Sequence, residues 1–282
     1  MATEPGKPSL VVVALDAAER GEHVIELARA LARSDTPEVL GVFVESSELL
    51  AHAGSRLARE ILLSGAERAL EHARLERQLR SQAARARAAF EAVSARLGLR
   101  HRFEITRGDL LSESVKRAGT AEVLVVSLAQ AVAGRASSTA LLRELAAPSP
   151  PLVVLARHGW SPGQSVAVLF DEASSVNEAA LLAAARVAIH GRSPLTALVP
   201  VSGDADANEV LERVAAKLAA FGVPVPHVIQ LERADAAAIG RASRACHARL
   251  LVLPSSGDNM GPASEVDELM QRFPGALMLV RR

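Results

Sequence analysis

The sequence predicts an α/β protein with two tandem five-stranded, mostly parallel sheets that are flanked by helices. Three observations predict this fold class. The chain has 282 residues, which is enough for two medium domains. Short apolar runs alternate with segments of helical periodicity, and this alternation implies parallel strands joined by right-handed crossovers. The whole alternation then occurs a second time, which indicates an internal repeat.

Each half reads as five strands separated by four helices. The first-half strands are predicted at 10–15, 39–44, 102–106, 123–126 and 152–156. The second-half strands are predicted at 166–170, 195–201, 227–231, 250–253 and 276–280. Two domains follow, residues 1–158 and residues 165–282, and the linker 158–165 between them contains Gly159, Pro162 and Gly163.

An insertion at about 46–98 makes the first domain the longer one. Residues 66–97 contain no glycine or proline, and apolar residues recur every three or four positions from Leu75 to Leu97. This pattern predicts a continuous helix about 48 Å long, longer than a compact sheet can cover, so part of it should project or pack elsewhere. Its arginine-rich positions favour a solvated face; the alternative is a docking arm for another subunit or partner, with homodimerisation through helix 66–97.

Composition and charge restrict the classes of partner and compartment. The chain has 32 lysine and arginine residues and 32 aspartate and glutamate residues, so no net charge attracts nucleic acid or an anionic membrane. No apolar run approaches the roughly 20 residues that cross a bilayer, and the N-terminus lacks the apolar stretch of a signal peptide. Cys246 is the single cysteine and cannot form an internal disulfide. We therefore expect a soluble, cytoplasmic protein without nucleic-acid or membrane partners.

The candidate binding residues follow from the fold class. In open parallel sheets, ligands bind beyond the carboxyl ends of strands where the strand order reverses. Asp16 and Asp171 end the first strand of each half, and the loops 127–138 and 254–263 follow the fourth strands. These loops lead to Thr139 and Ser264, which could bind an anion at a helix N-terminus or serve as plain N-caps.

The repeated pattern resembles the universal stress protein family, and specifically its tandem members. In both halves an apolar strand ends in aspartate and feeds a helix; Gly108-Asp109 and the strand beginning at Glu122 resemble further family motifs. The resemblance implies a Rossmann-like, adenine nucleotide alpha hydrolase-like fold. It also implies a role in stress survival, through ligand sensing or protein contacts, and pairing of the two closing strands in an intramolecular pseudo-dimer.

Family members that bind ATP carry Gly-x2-Gly-x9-Gly-Ser/Thr after the fourth strand, and this chain departs from that loop. In the first half the three glycine positions are occupied by Ser127, Gln130 and Ser138. In the second half Pro254 and Ala263 replace two glycines, whereas Gly257 and Ser264 remain, with Gly261 nearby. We therefore expect no cofactor. The alternative is ATP in the C-terminal half, with Asp171 against adenine and the phosphates near Gly257, Gly261 and Ser264.

Other chemistries lack a recognisable residue pattern. The eight histidines show no metal-ligand spacing, and Cys246 and His247 are consecutive on a predicted helix, where they cannot form a nucleophile–base pair. The sequence thus predicts no catalytic residues and no metal site. The expected function is that of a non-enzymatic tandem universal stress protein; a nucleotide-binding regulator and a divergent α/β enzyme are the alternatives.

Overall fold

A computed structural model gives the fold. It describes residues 9–15, 22–32, 37–53, 55, 59–61, 67–69, 71–127, 150–156, 160–170, 176–200, 207–223, 227–255 and 263–281. Within these residues no helix combines the length and the apolar character that a membrane span requires.

The first half contains seven strands and four helices among its described residues. The strands are β1 (Leu10–Leu15), β2 (Glu38–Ser46), β3 (Arg59–Ile61), β4 (Glu67–Ala69), β5 (Arg100–Gly108), β6 (Val123–Ser127) and β7 (Leu152–Ala156). The helices are α1 (Glu22–Leu31), α2 (Ser47–Ala53), α3 (His72–Arg96) and α4 (Leu110–Arg117).

The second half repeats the order without the insertion. Its strands are β8 (Val166–Leu169), β9 (Leu195–Pro200), β10 (His227–Leu231), β11 (Leu250–Pro254) and β12 (Ala276–Val280). Its described helices are α5 (Asn177–Gly191), α6 (Ala207–Ala220), α7 (Ala236–Ala245) and α8 (Ala263–Arg272). All ten predicted strands are confirmed, each within two residues at either end, because short apolar runs between polar segments define them well.

The ten strands form one sheet, in which the two predicted five-stranded sheets are joined edge to edge. The strand order is β10-β9-β8-β11-β12-β7-β6-β1-β2-β5. The two closing strands, β7 and β12, pair antiparallel, with Val154 opposite Met278 at the centre, as the family resemblance implies for these strands. All other neighbours in this sheet are parallel. Both closing strands are apolar, and their pairing removes the exposed edge that each half would otherwise carry.

Helices cover both faces of the sheet. On one face α1, α3, α5 and α6 bury their apolar stripes, and α1 packs directly against α5 across the junction of the halves. On the other face α4, α7 and α8 contribute Leu111, Ile239 and Leu269 to a second apolar layer. The inner strands are buried on both sides, which explains why they read as continuous apolar runs.

The sequence predicts one continuous helix from residue 66, and this prediction is wrong for the start of the helix. Glu67–Ala69 is strand β4, which pairs antiparallel with β3, and α3 begins only at His72 because Glu71 has an extended backbone. The apolar stripe itself starts at Leu75, so the lack of glycine and proline before that residue carried no helical information. With 25 residues α3 is about 38 Å long.

The expected packing of α3 in two parts is observed. Its first turns bury Leu75 and Leu79 against Leu50 and Ala53 of α2, away from the main sheet. Further along, Phe90 is fully buried, and its ring centroid lies 5.6 Å from that of Phe103 on β5. The helix therefore extends beyond the sheet and rests on a second small helix.

The described part of the predicted linker packs onto the second half. Trp160 is fully buried, and its indole Nε1–H donates to the carbonyl of Gln164 at 3.0 Å. A Cβ added to Gly191 at the end of α5 would lie 2.5 Å from the indole, so this helix end needs glycine. Ser161 Oγ lies 2.7 Å from Nδ1 of His23 on α1, which adds a contact between the halves.

Candidate functional site

The strand order reverses at one point in each half, and these two points lie where the sequence predicts binding. In the first half β1 lies between β2 and β6, and in the second half β8 lies between β9 and β11. Ala14 pairs with Val126, and Val168 pairs with Val252, so the carboxyl ends of each strand pair are side by side. Crevices beyond such strand ends are the usual ligand sites of open α/β sheets.

Most predicted site residues lie outside the described residues. These are Asp16, Thr139, Asp171, Gly257 and Gly261. Ser264 is the second residue of α8, and its side chain also lies outside the description. The structure places their neighbours: Leu15 ends β1 directly before Asp16, and buried Phe170 directly precedes Asp171. The roles predicted for these six residues stay predictions.

Two serines next to the crevices are buried. Ser127 ends β6 and has no exposed surface, at the position where the resemblance expects the first loop glycine. Ser255 follows β11 with 3% exposure, and its backbone N–H donates to the carbonyl of Val280 at 2.7 Å. Each fourth strand is therefore followed or ended by a serine whose side chain is packed inside the protein.

The junction between β5 and α4 in the first half and the junction between β10 and α7 in the second half are built in the same way. Asp109 caps α4 by accepting hydrogen bonds from the N–H groups of Leu111 at 3.1 Å and Ser112 at 2.9 Å. Asp235 caps α7 by accepting from the N–H of Ala238 at 2.7 Å, and this hydrogen bond lowers the pKa of Asp235. The Gly108-Asp109 motif thus forms an N-cap, which satisfies otherwise unpaired helix donors.

An ionic cluster that the sequence reasoning missed lies beside this junction in the first half. Glu113 accepts hydrogen bonds from Lys116 at 2.8 Å, Arg117 at 2.6 Å and Thr106 at 3.2 Å. The bonds from Lys116 and Arg117 lower the pKa of Glu113 to about 2. A carboxylate held ionised in this way is a poor proton donor or acceptor near neutral pH, so the cluster is structural. Only the i+3 and i+4 spacing of its helical members signalled it.

Two open surface grooves lie away from the crevices. One, of about 290 Å³, separates α3 from the end of the sheet, and Arg80, Arg87, Glu91 and half-exposed Ile105 are among its lining residues. The other, of about 420 Å³, runs between β10 and α7. Neither groove was visible to sequence reasoning, because each one is created by small side chains on a helix.

Other reactive groups are isolated in the described part of the chain. No group of three or more histidine, cysteine, aspartate or glutamate residues there could hold a metal ion. The Cys246 thiol donates to the carbonyl of Ser243 at 3.4 Å, and burial raises its pKa, which keeps it protonated. His247 has a left-handed backbone with φ of 54° directly after it, at the end of α7.

Comparison with known proteins identifies the fold. No family model matches the sequence, and no curated protein matches it. A universal stress protein from Archaeoglobus fulgidus DSM 4304 is similar over 96% of this chain and 96% of its own, with 16% identity and a TM-score of 0.64. The cytoplasmic domain of a prokaryotic cation chloride cotransporter is similar over 97% of this chain and 95% of its own, with 13% identity and a TM-score of 0.56.

A universal stress protein solved in complex with cAMP gives a shorter match, which covers 43% of this chain and 98% of its own, with 17% identity and a TM-score of 0.36. The full-length similarity to the Archaeoglobus protein shows that this chain has the fold of a universal stress protein over both halves. The α/β fold with a mostly parallel sheet, expected from the sequence, is thereby confirmed.

Proposed function

We propose that this protein acts in the cytoplasm as a non-enzymatic tandem universal stress protein, through protein contacts or ligand sensing rather than turnover. The fold, repeated twice in one chain, supports this proposal. In the same proposal the two halves act as an intramolecular pseudo-dimer, and the antiparallel β7–β12 pair is the contact that supports it. Because the same fold also serves as a domain of a transporter, the function must be argued from the site.

The observation that carries the proposal is the buried side chain of Ser127. A phosphate cradle needs backbone N–H groups that approach the anion closely, and glycine permits that approach because it has no Cβ. Ser127, the last residue of β6 beside β1, instead carries a Cβ and a buried hydroxyl at the position of the first loop glycine. We infer that the first-half crevice does not hold a nucleoside triphosphate.

A second candidate function is adenine-nucleotide binding in the C-terminal half. It is favoured by the register of β8 and β11, which brings their carboxyl ends together directly before Asp171 and the loop containing Gly257. In this alternative Asp171 contacts adenine, and Gly257, Gly261 and Ser264 surround the phosphates. Pro254, at the start of that loop, lacks a backbone N–H and weakens the cradle.

Equilibrium dialysis with ATP and Mg²⁺ tests the proposal. We expect no saturable binding by the wild-type chain, and no release of ADP over time. Saturable binding that Gly257→Val abolishes would establish the second candidate instead. Release of ADP in proportion to the protein concentration would support a divergent enzyme and contradict a non-enzymatic role.

The long helix α3 is the contact surface that distinguishes the first half. It carries six arginines and two glutamates; Arg96 pairs with Glu22 of α1, whereas Arg77, Arg80, Arg85 and Arg87 are exposed. Homodimerisation through helix 66–97 stays a prediction of the sequence. Since two copies of this basic face would repel each other, we infer that α3 contacts an acidic partner protein.

Whether α3 instead joins two copies of this chain is tested by reversing two charges on it. Arg77→Glu together with Arg85→Glu should leave the mass of the protein unchanged in light scattering, because the helix is not the contact between copies. Ala84→Ser is the control variant. Dissociation of the dimer in the charge-reversed variant, but not in the control, would show instead that α3 joins two copies.

A further inference from the structure

The two outer edges of the ten-stranded sheet are equivalent in the repeat but different in chemistry. Among the strands of the ten-stranded sheet, both β5 and β10 are the third in chain order of their half. β5 has nine residues, of which five are ionisable: Arg100, His101, Arg102, Glu104 and Arg107. β10 has five residues, with His227 as its one ionisable side chain. Charged side chains along an edge strand prevent pairing with another chain, so β10 is the less protected edge.

An open groove adjoins the β10 edge. Its strand side includes partly buried Ile229, and its helix side is formed by the small side chains of Ala238, Ala242 and Ala245 on α7. Both signs of charge lie on its rim, where Arg233 and Asp235 form an ion pair at 3.2 Å. We call this surface the β10–α7 groove.

The same place in the first half is bridged by ion pairs. Between β5 and α4, Arg117 contacts Glu104 at 3.3 Å and Glu113 at 2.6 Å, and Thr106 donates to Glu113 at 3.2 Å. These contacts join the edge strand to its helix with charged groups. The second half has alanines and Ile229 on the corresponding surface, which leaves its apolar edge open.

We propose that β10 pairs antiparallel with β10 of a second copy, around a two-fold axis through Ile229. This axis places Ile229 opposite Ile229, His227 opposite Leu231 and Val228 opposite Gln230, so no like charges face each other. The same operation centred on Glu104 of β5 would place Glu104 opposite Glu104 and His101 opposite Arg107. Charge therefore permits self-pairing at one edge and opposes it at the other.

The chain already contains one contact of this kind. β7 and β12 are five-residue apolar strands that pair antiparallel over their whole length. Pairing of β10 would repeat that arrangement between copies, with the same surface used by each copy, as a two-fold dimer requires. The dimer would then expose only the charged β5 strand at each outer edge.

Light scattering over a range of concentrations tests the dimer. We expect a mass of twice the 29.6 kDa chain for the wild type. Ile229→Lys brings two ammonium groups together at the axis and should reduce the mass to that of one chain. Ile105→Lys, on the β5 edge at a residue that is 46% exposed, is the matched control and should keep the dimer. Circular dichroism establishes that both variants fold.

Cysteine cross-linking decides the same question without relying on a disruptive variant. In a Cys246→Ser background, Ile229→Cys should form an intermolecular disulfide under mild oxidation, and Ile105→Cys should not. A single-chain mass at every concentration, a dimer that persists in Ile229→Lys, or cross-linking only at Ile105 would overturn the proposal. None of these outcomes bears on nucleotide binding, so the proposed function is tested separately.

Discussion

The two halves of the molecule share a strand order but differ where their edges meet solvent. In the first half, β5 carries a row of charges and is joined to α4 by the Glu113 cluster. In the second half, β10 is short and nearly uncharged, and the β10–α7 groove lies open beside it. The buried apolar strands thus define the common fold, whereas the polar residues on edges and helices determine what each half can contact.

A second contrast lies between the inner and outer edges. The inner edges of the halves, β7 and β12, pair with each other and are buried. The outer edges, β5 and β10, have one neighbour each among the strands that the structure describes. Substitutions on the inner and on the outer edge strands can therefore be compared by their effect on the free energy of unfolding. The comparison measures how much strand pairing, rather than strand composition, stabilises the protein.

The largest effect is expected from Met278→Lys on β12. Met278 is fully buried opposite Val154, so the lysine would bury an unpaired charge at the junction of the halves. We expect a loss of about 3–5 kcal/mol in the free energy of unfolding, measured by urea denaturation. Ile105→Lys on the outer strand β5, at a residue that is 46% exposed, is the control, and a loss as large for that variant would contradict the contrast between edges.

A loss of about 3–5 kcal/mol is also expected from Phe90→Ala, which tests the anchoring of α3. Phe90 is fully buried and packs against Phe103 and His101 on β5. Val214→Ala, at a fully buried position of the shorter helix α6, removes fewer atoms and should cost less. Equal losses in thermal denaturation would show that α3 is not the main support of its half.

The Glu113 cluster should make the free energy of unfolding depend on pH, and Glu113→Gln should remove that dependence. The folded pKa of about 2 lies below the ordinary value of 4.5, so the stabilisation is present above about pH 4.5 and is lost as the pH falls toward 2. We expect Glu113→Gln to cost about 1 kcal/mol at pH 7, a value typical of exposed ion pairs. Urea denaturation at several pH values measures it, and a difference that does not shrink in acid would refute this account.

The smallest effects are expected at the two helix caps, where the halves agree. Asp109→Ala and Asp235→Ala each leave backbone N–H groups of one helix without their acceptor. Each substitution should lower the free energy of unfolding by about 1 kcal/mol. Asparagine at either position should restore most of the loss, and a failure of both asparagine variants would argue against capping.

The sequence predicted the strands and the points of strand reversal because these follow from apolar runs and their order. It did not predict the hairpin β3–β4, since Glu67, Arg68 and Ala69 show no apolar alternation. The pairing of β7 with β12 was expected from the family resemblance, whereas the register that joins the two halves into a single sheet is visible only in three dimensions.

The candidate site could be predicted only in part for a similar reason. The positions of the crevices follow from topology, and the structure confirms the strand reversals that create them. The Glu113 cluster combines residues from β5 and α4, and the β10–α7 groove depends on three alanines facing an edge strand. Contacts between separate elements leave little trace in the local pattern of residues.

Amide hydrogen exchange tests most directly the central claim that the two halves form one continuous sheet. If β7 and β12 pair, their amides should exchange as slowly as those of the inner strands β1 and β8, and more slowly than those of the outer strand β5. Exchange of β7 and β12 at the rate of β5 would show that each half ends in an exposed edge, and it would contradict the ten-stranded sheet.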